Sequence, residues 1–273
     1  MPQSYSPSPG YGTQSSVLFA RTLLCATTTV LMGSVTAQNF LPPAPFGGDQ
    51  AVKWLFEEEL NYSARDLDAK VTGEVELTFT VGVDGAASSV RISKTLSEDS
   101  EAEARRLLSL IRWHPASVGG TVLDKAQVLA VPFNLKRYLK AKSKEAKAED
   151  PFAHFPADGS LTMYQDRGTD SLAVPMIPKG WRGLPTYFGE HLQYPEDARR
   201  RDMQGKVVVD FVVEPSGNIS NLRTVEALSG GCDNEAMRLV RSIGWKPAFK
   251  DGKRVRSILK LDIQFRLDAN QRP

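Results

Sequence analysis

The feature that most constrains this chain is that it repeats itself. Gly48, Phe56, Leu60, Tyr62, Gly73, Val75, Phe79, Val81, Gly85, Trp113, Pro115, Gly120, Phe133 and Leu135 recur 132 residues later, without a gap, as Gly180, Phe188, Leu192, Tyr194, Gly205, Val207, Phe211, Val213, Gly217, Trp245, Pro247, Gly252, Phe265 and Leu267. The matches fall on glycines, aromatics and alternating apolar residues, which set turns and cores, so one supersecondary unit has been duplicated. Composition agrees with two folded units. At 273 residues, with 41% hydrophobic and 24% charged residues, a disordered or collagen-like chain is excluded. A net charge of +2 gives no chain-wide attraction to nucleic acid.

Each unit parses the same way. In the second, Leu184 to Arg201 carries apolar residues at helical spacing, and after Gly205 the alternation Val207, Val209, Phe211, Val213 has the period of a half-buried strand. Pro215-Ser216-Gly217-Asn218 signals a hairpin into a strand over Ile219 to Ala227. Gly230-Gly231 then breaks the chain, and Asp233 or Asn234 is placed to cap a helix containing Ala236, Met237, Leu239, Val240 and Ile243. Trp245-Lys246-Pro247 stops it, and Val255 to Leu267 alternates as a last strand. The order helix, strand, strand, helix, strand predicts an α+β fold: two tandem domains, 48–138 and 180–268, each with a three-stranded antiparallel sheet and helices on one face.

The flanking segments read differently. Arg21 precedes the apolar run Thr22 to Val35, and Val35-Thr36-Ala37 has the small residues of a signal-peptidase site, so residues 1–37 are expected to be an export signal cleaved after Ala37. An uncleaved anchor is the alternative, although the run is short for a bilayer. Cleavage removes Cys25 and leaves Cys232 as the single thiol. Residues 38–47 form a short leader containing Pro42, Pro43 and Pro45. Residues 139–179 read as a linker, a solvated charged helix over Lys136 to Asp150 followed by an irregular stretch with Pro151, Pro156, Pro175 and Pro178. Gly48 to Lys136 holds 10 basic and 14 acidic residues, whereas Gly180 to Asp268 holds 15 and 12. The two surfaces either attract one another or face different partners.

Tyr194-Pro195-Glu196-Asp197-Ala198, the strand Gly205 to Val213 with its Ser-Gly hairpin, Trp245-Lys246-Pro247 and the closing Phe265-Arg266-Leu267 together resemble the C-terminal domain of TonB proteins. Gly230-Gly231-Cys232-Asp233-Asn234-Glu235-Ala236 is similar to the helix opening of TonB-like proteins of the Bacteroidetes type. The first unit is a degenerate copy, with Ser63 in place of Pro195 and Asp99-Ser100 in place of Gly231-Cys232. The resemblance implies a non-enzymatic periplasmic domain that grips the TonB box, a short extended segment of outer-membrane receptors, by strand addition, in transport across the outer membrane. Main-chain bonds to an edge strand supply affinity in that mode, and alternate side chains supply selectivity. Carried across, Ile258, Leu259, Lys260, Leu261, Asp262, Ile263 and Gln264 of the last strand line the contact, with His191, Gln193, Tyr194 and Pro195 beside them. Arg254, Arg256, Lys260, Asp262 and Arg266 leave open the other reading, an edge protected by charge. The first unit has Pro132 where the second has Gln264, so the second is expected to bind and the first to dock or space.

Peptidoglycan and a second copy of the chain are further candidate partners, and the alternative function is a structural envelope module without energy transduction. No cofactor or metal is implied: His114, His154 and His191 have no Cys, Asp or Glu at ligand spacing. There is no G-x-S-x-G, H-E-x-x-H, P-loop or C-x-x-C motif. Cys232 reads as a small residue at a tight turn, and Trp113 and Trp245 as core residues.

Overall fold

In the computed structural model, which describes residues 39–145, 151–165 and 168–267, the repeat appears in the backbone itself. The expected export signal and Cys25 lie outside the described residues. Two short strands, β1 (Phe40–Leu41) and β2 (Ala44–Pro45), lead into α1 (Gly48–Glu59) and α2 (Ala64–Asp68). The hairpin β3 (Gly73–Val81) and β4 (Ala87–Lys94) follows, then α3 (Glu98–Leu110). Short strands β5 (Trp113–His114), β6 (Ala116–Val118) and β7 (Thr121–Leu123) lead to the long β8 (Lys125–Phe133) and α4 (Leu135–Glu145). Next come β9 (Met163–Tyr164), β10 (Val174–Pro175), α5 (Leu184–His191), α6 (Glu196–Arg200), β11 (Gly205–Val213) and β12 (Ile219–Glu226). The chain closes with α7 (Cys232–Ser242), β13 (Trp245–Lys246), β14 (Ala248–Lys250) and β15 (Lys253–Phe265).

The bounds of β3, β4, β5, β6 and α2 recur 132 residues on as those of β11, β12, β13, β14 and α6. β15 spans the counterparts of β7 and β8. Register repeats too: Gly73 pairs with Phe133 as Gly205 does with Phe265, and each hairpin carries its irregularities at equivalent positions. Even unusual backbone recurs. Lys70 and Asp202 are left-handed at φ 51° and 48°, and Ser89 and Asn221 share φ 52°. The unit also reaches further upstream than identities suggest, because β2 pairs with β5 as β10 pairs with β13.

Several expectations are corrected. The predicted helix Leu184 to Arg201 is two helices, since Leu192 turns to ψ 123° and Pro195 disfavours helical geometry in the residue before it. Gly231, left-handed at φ 89°, is the N-cap of α7; the Asp233 carboxylate instead accepts from the Leu228 and Ser229 N–H groups. The sheet of the first unit is three-stranded, β4-β3-β8, but that of the second runs β12-β11-β15-β14 with β9 added to β15. The added strand comes from the segment read as an irregular linker. Residues 151–165 and 168–175 form a strap across the second unit: Ala157 bridges Arg254, β9 runs parallel to Arg256 and Ser257, Ser171 bridges Phe249, and β10 pairs with β13.

Each unit has its own core. Val75, Leu77, Phe79, Val81, Leu107 and Phe133 centre the first, and Val207, Val209, Phe211, Leu239, Ile263 and Phe265 the second. The units are nevertheless one compact body rather than two spaced domains. Trp54 of α1 packs against the second core under the Arg241 guanidinium, which also holds Glu58 at 2.7 Å. Gly47 tolerates no other residue: its φ is +77°, and a Cβ would stand 2.0 Å from the Leu222 carbonyl oxygen. Phe46 lies between the guanidinium groups of Arg112 and Arg223 and stacks on His114. Burial, with Arg223 and Arg112 close by, pushes the His114 pKa down.

A buried polar network locks this interface. Arg256 and Glu214 form an ion pair at 2.8 Å, both nearly inaccessible to water. Arg256 also donates to Leu110 O of the first unit at 3.2 Å and to Leu161 O of the strap at 3.4 Å. Ser220 donates to Glu214, and Asn221 donates to Leu110 O while accepting from Arg112 N–H.

Candidate functional site

Where β15 keeps an open edge follows from alternation. Glu214 N–H donates to Asn218 O across the hairpin, so the backbone groups of Glu214 face β12 and those of Val213 face β15. Val213 pairs with Ser257, and in an antiparallel ladder every second pair is hydrogen-bonded. Ser257, Leu259, Leu261, Ile263 and Phe265 are thereby spent on β11. Ile258, Lys260, Asp262 and Gln264 turn their N–H and C=O groups outward. The same parity sends Arg254 outward, and its N–H indeed meets Pro156 O while its C=O accepts from Asp158 N–H. The strap therefore covers the outer edge over residues 254–257. The parallel Ser257–Tyr164 pair also takes the Ile258 N–H, so from the Ile258 carbonyl to Gln264 no strand pairs with that edge among the described residues.

Beside the open stretch lies a cleft of about 930 Å³. α5 contributes Leu184, Pro185, Phe188 and Gly189; β15 contributes Leu261, Asp262 and Gln264, and Tyr194, Arg199 and Arg266 complete the wall. Gly189 is informative. Glycine inside a helix costs roughly 0.5–1 kcal/mol relative to alanine, yet a Cβ at 189 would meet nothing within 4 Å. No neighbour in the chain requires it, and its absent side chain widens the cleft. The equivalent position in the first unit is Glu57, which pairs with Arg137 of α4, and there the Tyr138 ring lies tilted against Tyr62 at 4.7 Å between centroids. The first cleft is smaller, about 620 Å³, and α4 forms one wall.

The expected contact residues divide into two groups. Tyr194, Leu261, Asp262 and Gln264 line the cleft; Ile258 and Lys260 lie on the open edge, and Leu259 and Ile263 send their side chains into the core. His191, Gln193 and Pro195 belong elsewhere. Gln193 N–H donates to Glu235 at 2.6 Å, Arg238 donates to His191 O at 2.8 Å, and Pro195 packs on Gly231. The first unit repeats this clamp with Glu103, Arg106, Asn61 and Glu59, so it holds the chain onto the following helix in both units. Residues the sequence reading missed are Leu184, Phe188, Gly189, Arg199 and Arg266. A helical glycine without a packing reason was the one available signal.

Charges and titratable groups beside the open edge are paired or buried. Asp262 faces Lys206 at 3.4 Å, and Glu226 on the next strand raises the Lys206 pKa together with it. Burial raises the Tyr194 phenol, whose hydroxyl donates to Met203 O. Cys232 is fully buried, its thiol pushed up to about 11 chiefly by burial, so it is no thiolate nucleophile at neutral pH. Arg254 and Arg256, two of the charges read as edge protection, are engaged with the strap and the inter-unit network.

Residues 190–267 match the family described as Gram-negative bacterial TonB protein C-terminal. No curated protein and no solved structure matches the chain. The match covers the clamp, β11, β12, α7 and β15, and supports the TonB C-terminal domain type for this part of the chain. Among the described residues no helix is long and apolar enough to cross a membrane.

Proposed function

We propose that the second unit captures the TonB-box segment of outer-membrane receptors in the periplasm, as an added strand on β15 from Ile258 to Gln264. The observation that carries this reading is the coincidence of outward N–H and C=O groups at Lys260, Asp262 and Gln264, with the outward Ile258 carbonyl, and the cleft under α5. An extended segment there extends the sheet by one strand while its side chains fill the cleft. The strap sets one end of the groove, because β9 already occupies Arg256 and Ser257. The first unit, a degenerate copy of the same domain, is the scaffold that holds the second. Export by the N-terminal signal delivers the chain to the compartment where the receptor segment is exposed.

Two variants of the full chain test this, titrated calorimetrically with a synthetic TonB-box peptide. Gln264→Pro removes one outward donor at a position where the first unit already carries Pro132, so the fold accepts it. Binding is expected to weaken by about 0.5–1.5 kcal/mol, the net worth of one hydrogen bond, beyond the loss in Gln264→Ala, which removes the same side chain but keeps the N–H. Gly189→Leu fills the cleft without a clash and is expected to weaken binding at least tenfold while raising thermal stability slightly. Wild-type affinity in both variants would refute the site.

A further inference from the structure

The first unit presents a second open edge with different chemistry. In its hairpin Gly82 N–H donates to Ala86 O, so the parity argued for β15 holds, and Ala126, Val128, Ala130 and Pro132 of β8 face outward. No strand covers them among the described residues. β15 carries Lys260 and Asp262 on its exposed face, with Arg266 just past its end; from Ala126 to Phe133 β8 carries no charge at all. Val128 is 55% exposed. Exposed Phe40, Leu41, Val83 and Val122 gather around its start, where Lys125 lies over the Phe40 ring and Asp124 accepts from Val83 N–H. A long, uncharged, apolar edge is the kind that folded proteins cover or blunt.

We infer that β8 pairs antiparallel with β8 of a second copy, about a dyad at Val128. Independent of the peptide reading, this interface uses a different strand and a different unit. Outward residues must meet outward residues, so Val128 faces its own mate and Ala126 faces the second copy's Ala130, giving about six main-chain hydrogen bonds. Pro132 decides between occupants. In this register it lies beyond the bonded pairs, so its missing N–H costs nothing; a peptide strand running the length that β15 offers would lose a bond there. Charge also permits the dyad. β3 places Thr78 beside Val128, Thr80 beside Ala126 and Glu76 beside Ala130, so the row from Glu76 continues through Ala130 and the second copy's Ala126 to its Thr80. No like charges oppose one another.

The test uses the whole chain carrying Cys25→Ser, in which Cys232 is buried. Sedimentation velocity at micromolar concentration should show a dimer, and Val128→Lys should weaken it at least tenfold with an unchanged thermal melt. Register is read by mild oxidation. Val128→Cys places two thiols at a bonded pair about 5.5 Å apart between Cα atoms, within disulfide reach, and should cross-link. Ala130→Cys should not, because it faces Ala126. A monomeric wild type, a dimer indifferent to Val128→Lys, or equal cross-linking at 128 and 130 would each overturn the inference.

Discussion

Arg256→Met is expected to lower the unfolding free energy by about 3–5 kcal/mol, the cost of leaving one partner of a buried ion pair without the other. The guanidinium is the single group that touches Glu214, the Leu110 carbonyl of the first unit and the Leu161 carbonyl of the strap. Its loss strands the Glu214 carboxylate in a nearly dry site. Replacing both charges, as Glu214→Leu with Arg256→Met, is expected to recover much of that stability, since apolar substitutes for a buried pair are often neutral or better. Chemical denaturation of the two single variants and the double closes a thermodynamic cycle. A loss below about 1 kcal/mol for Arg256→Met would mean that water reaches the pair.

Trp245→Ala is expected to cost about 3–5 kcal/mol, as truncation of a large buried aromatic does. The ring is 3% exposed, with Phe211 at 5.0 Å and Trp181 at 5.8 Å between centroids, so it is core and has no face free to stack on a ligand. Its indole N–H has no hydrogen-bond partner among the described residues, as is also true of Trp113. Trp245→Phe, which keeps an aromatic ring and removes that unpaired donor, should therefore cost less than half as much. Thermal unfolding of both variants checks the pair of values.

Much of this architecture is legible in the sequence because the repeat supplies an internal control. Val207, Val209, Phe211 and Val213 alternate as a strand, Gly217 marks the hairpin, and the first unit shows the same pattern at the same spacing, so one ambiguous unit is read twice. What is not legible is what a single copy has acquired. Glu214, Arg256 and Asn221 stand where the first unit has Gly82, Asp124 and Ser89, and nothing local announces that three polar residues from two strands will meet Leu110 of another unit. The strap escapes for a similar reason: its strands are two residues long, too short for any periodicity. At the candidate site, the edge positions are legible because the last strand is also the alternating one. Direction is not legible for the segment before α6, because nearness in sequence to the cleft does not set it: the backbone of His191 and Gln193 turns towards Arg238 and Glu235 of α7.

The central claim is that β15 offers an open edge from Ile258 to Gln264 that a receptor segment completes. Residue-resolved amide hydrogen exchange on the full chain, with and without a TonB-box peptide, addresses it directly. Without peptide, the amides of Lys260, Asp262 and Gln264 should exchange fast while those of Leu259, Leu261 and Ile263, bonded to β11, and of Ile258, which β9 holds, stay protected. Saturating peptide should then protect the fast set and leave the slow set as it was. Uniform protection along β15 before the peptide is added, or new protection confined to other elements after it, would contradict the account.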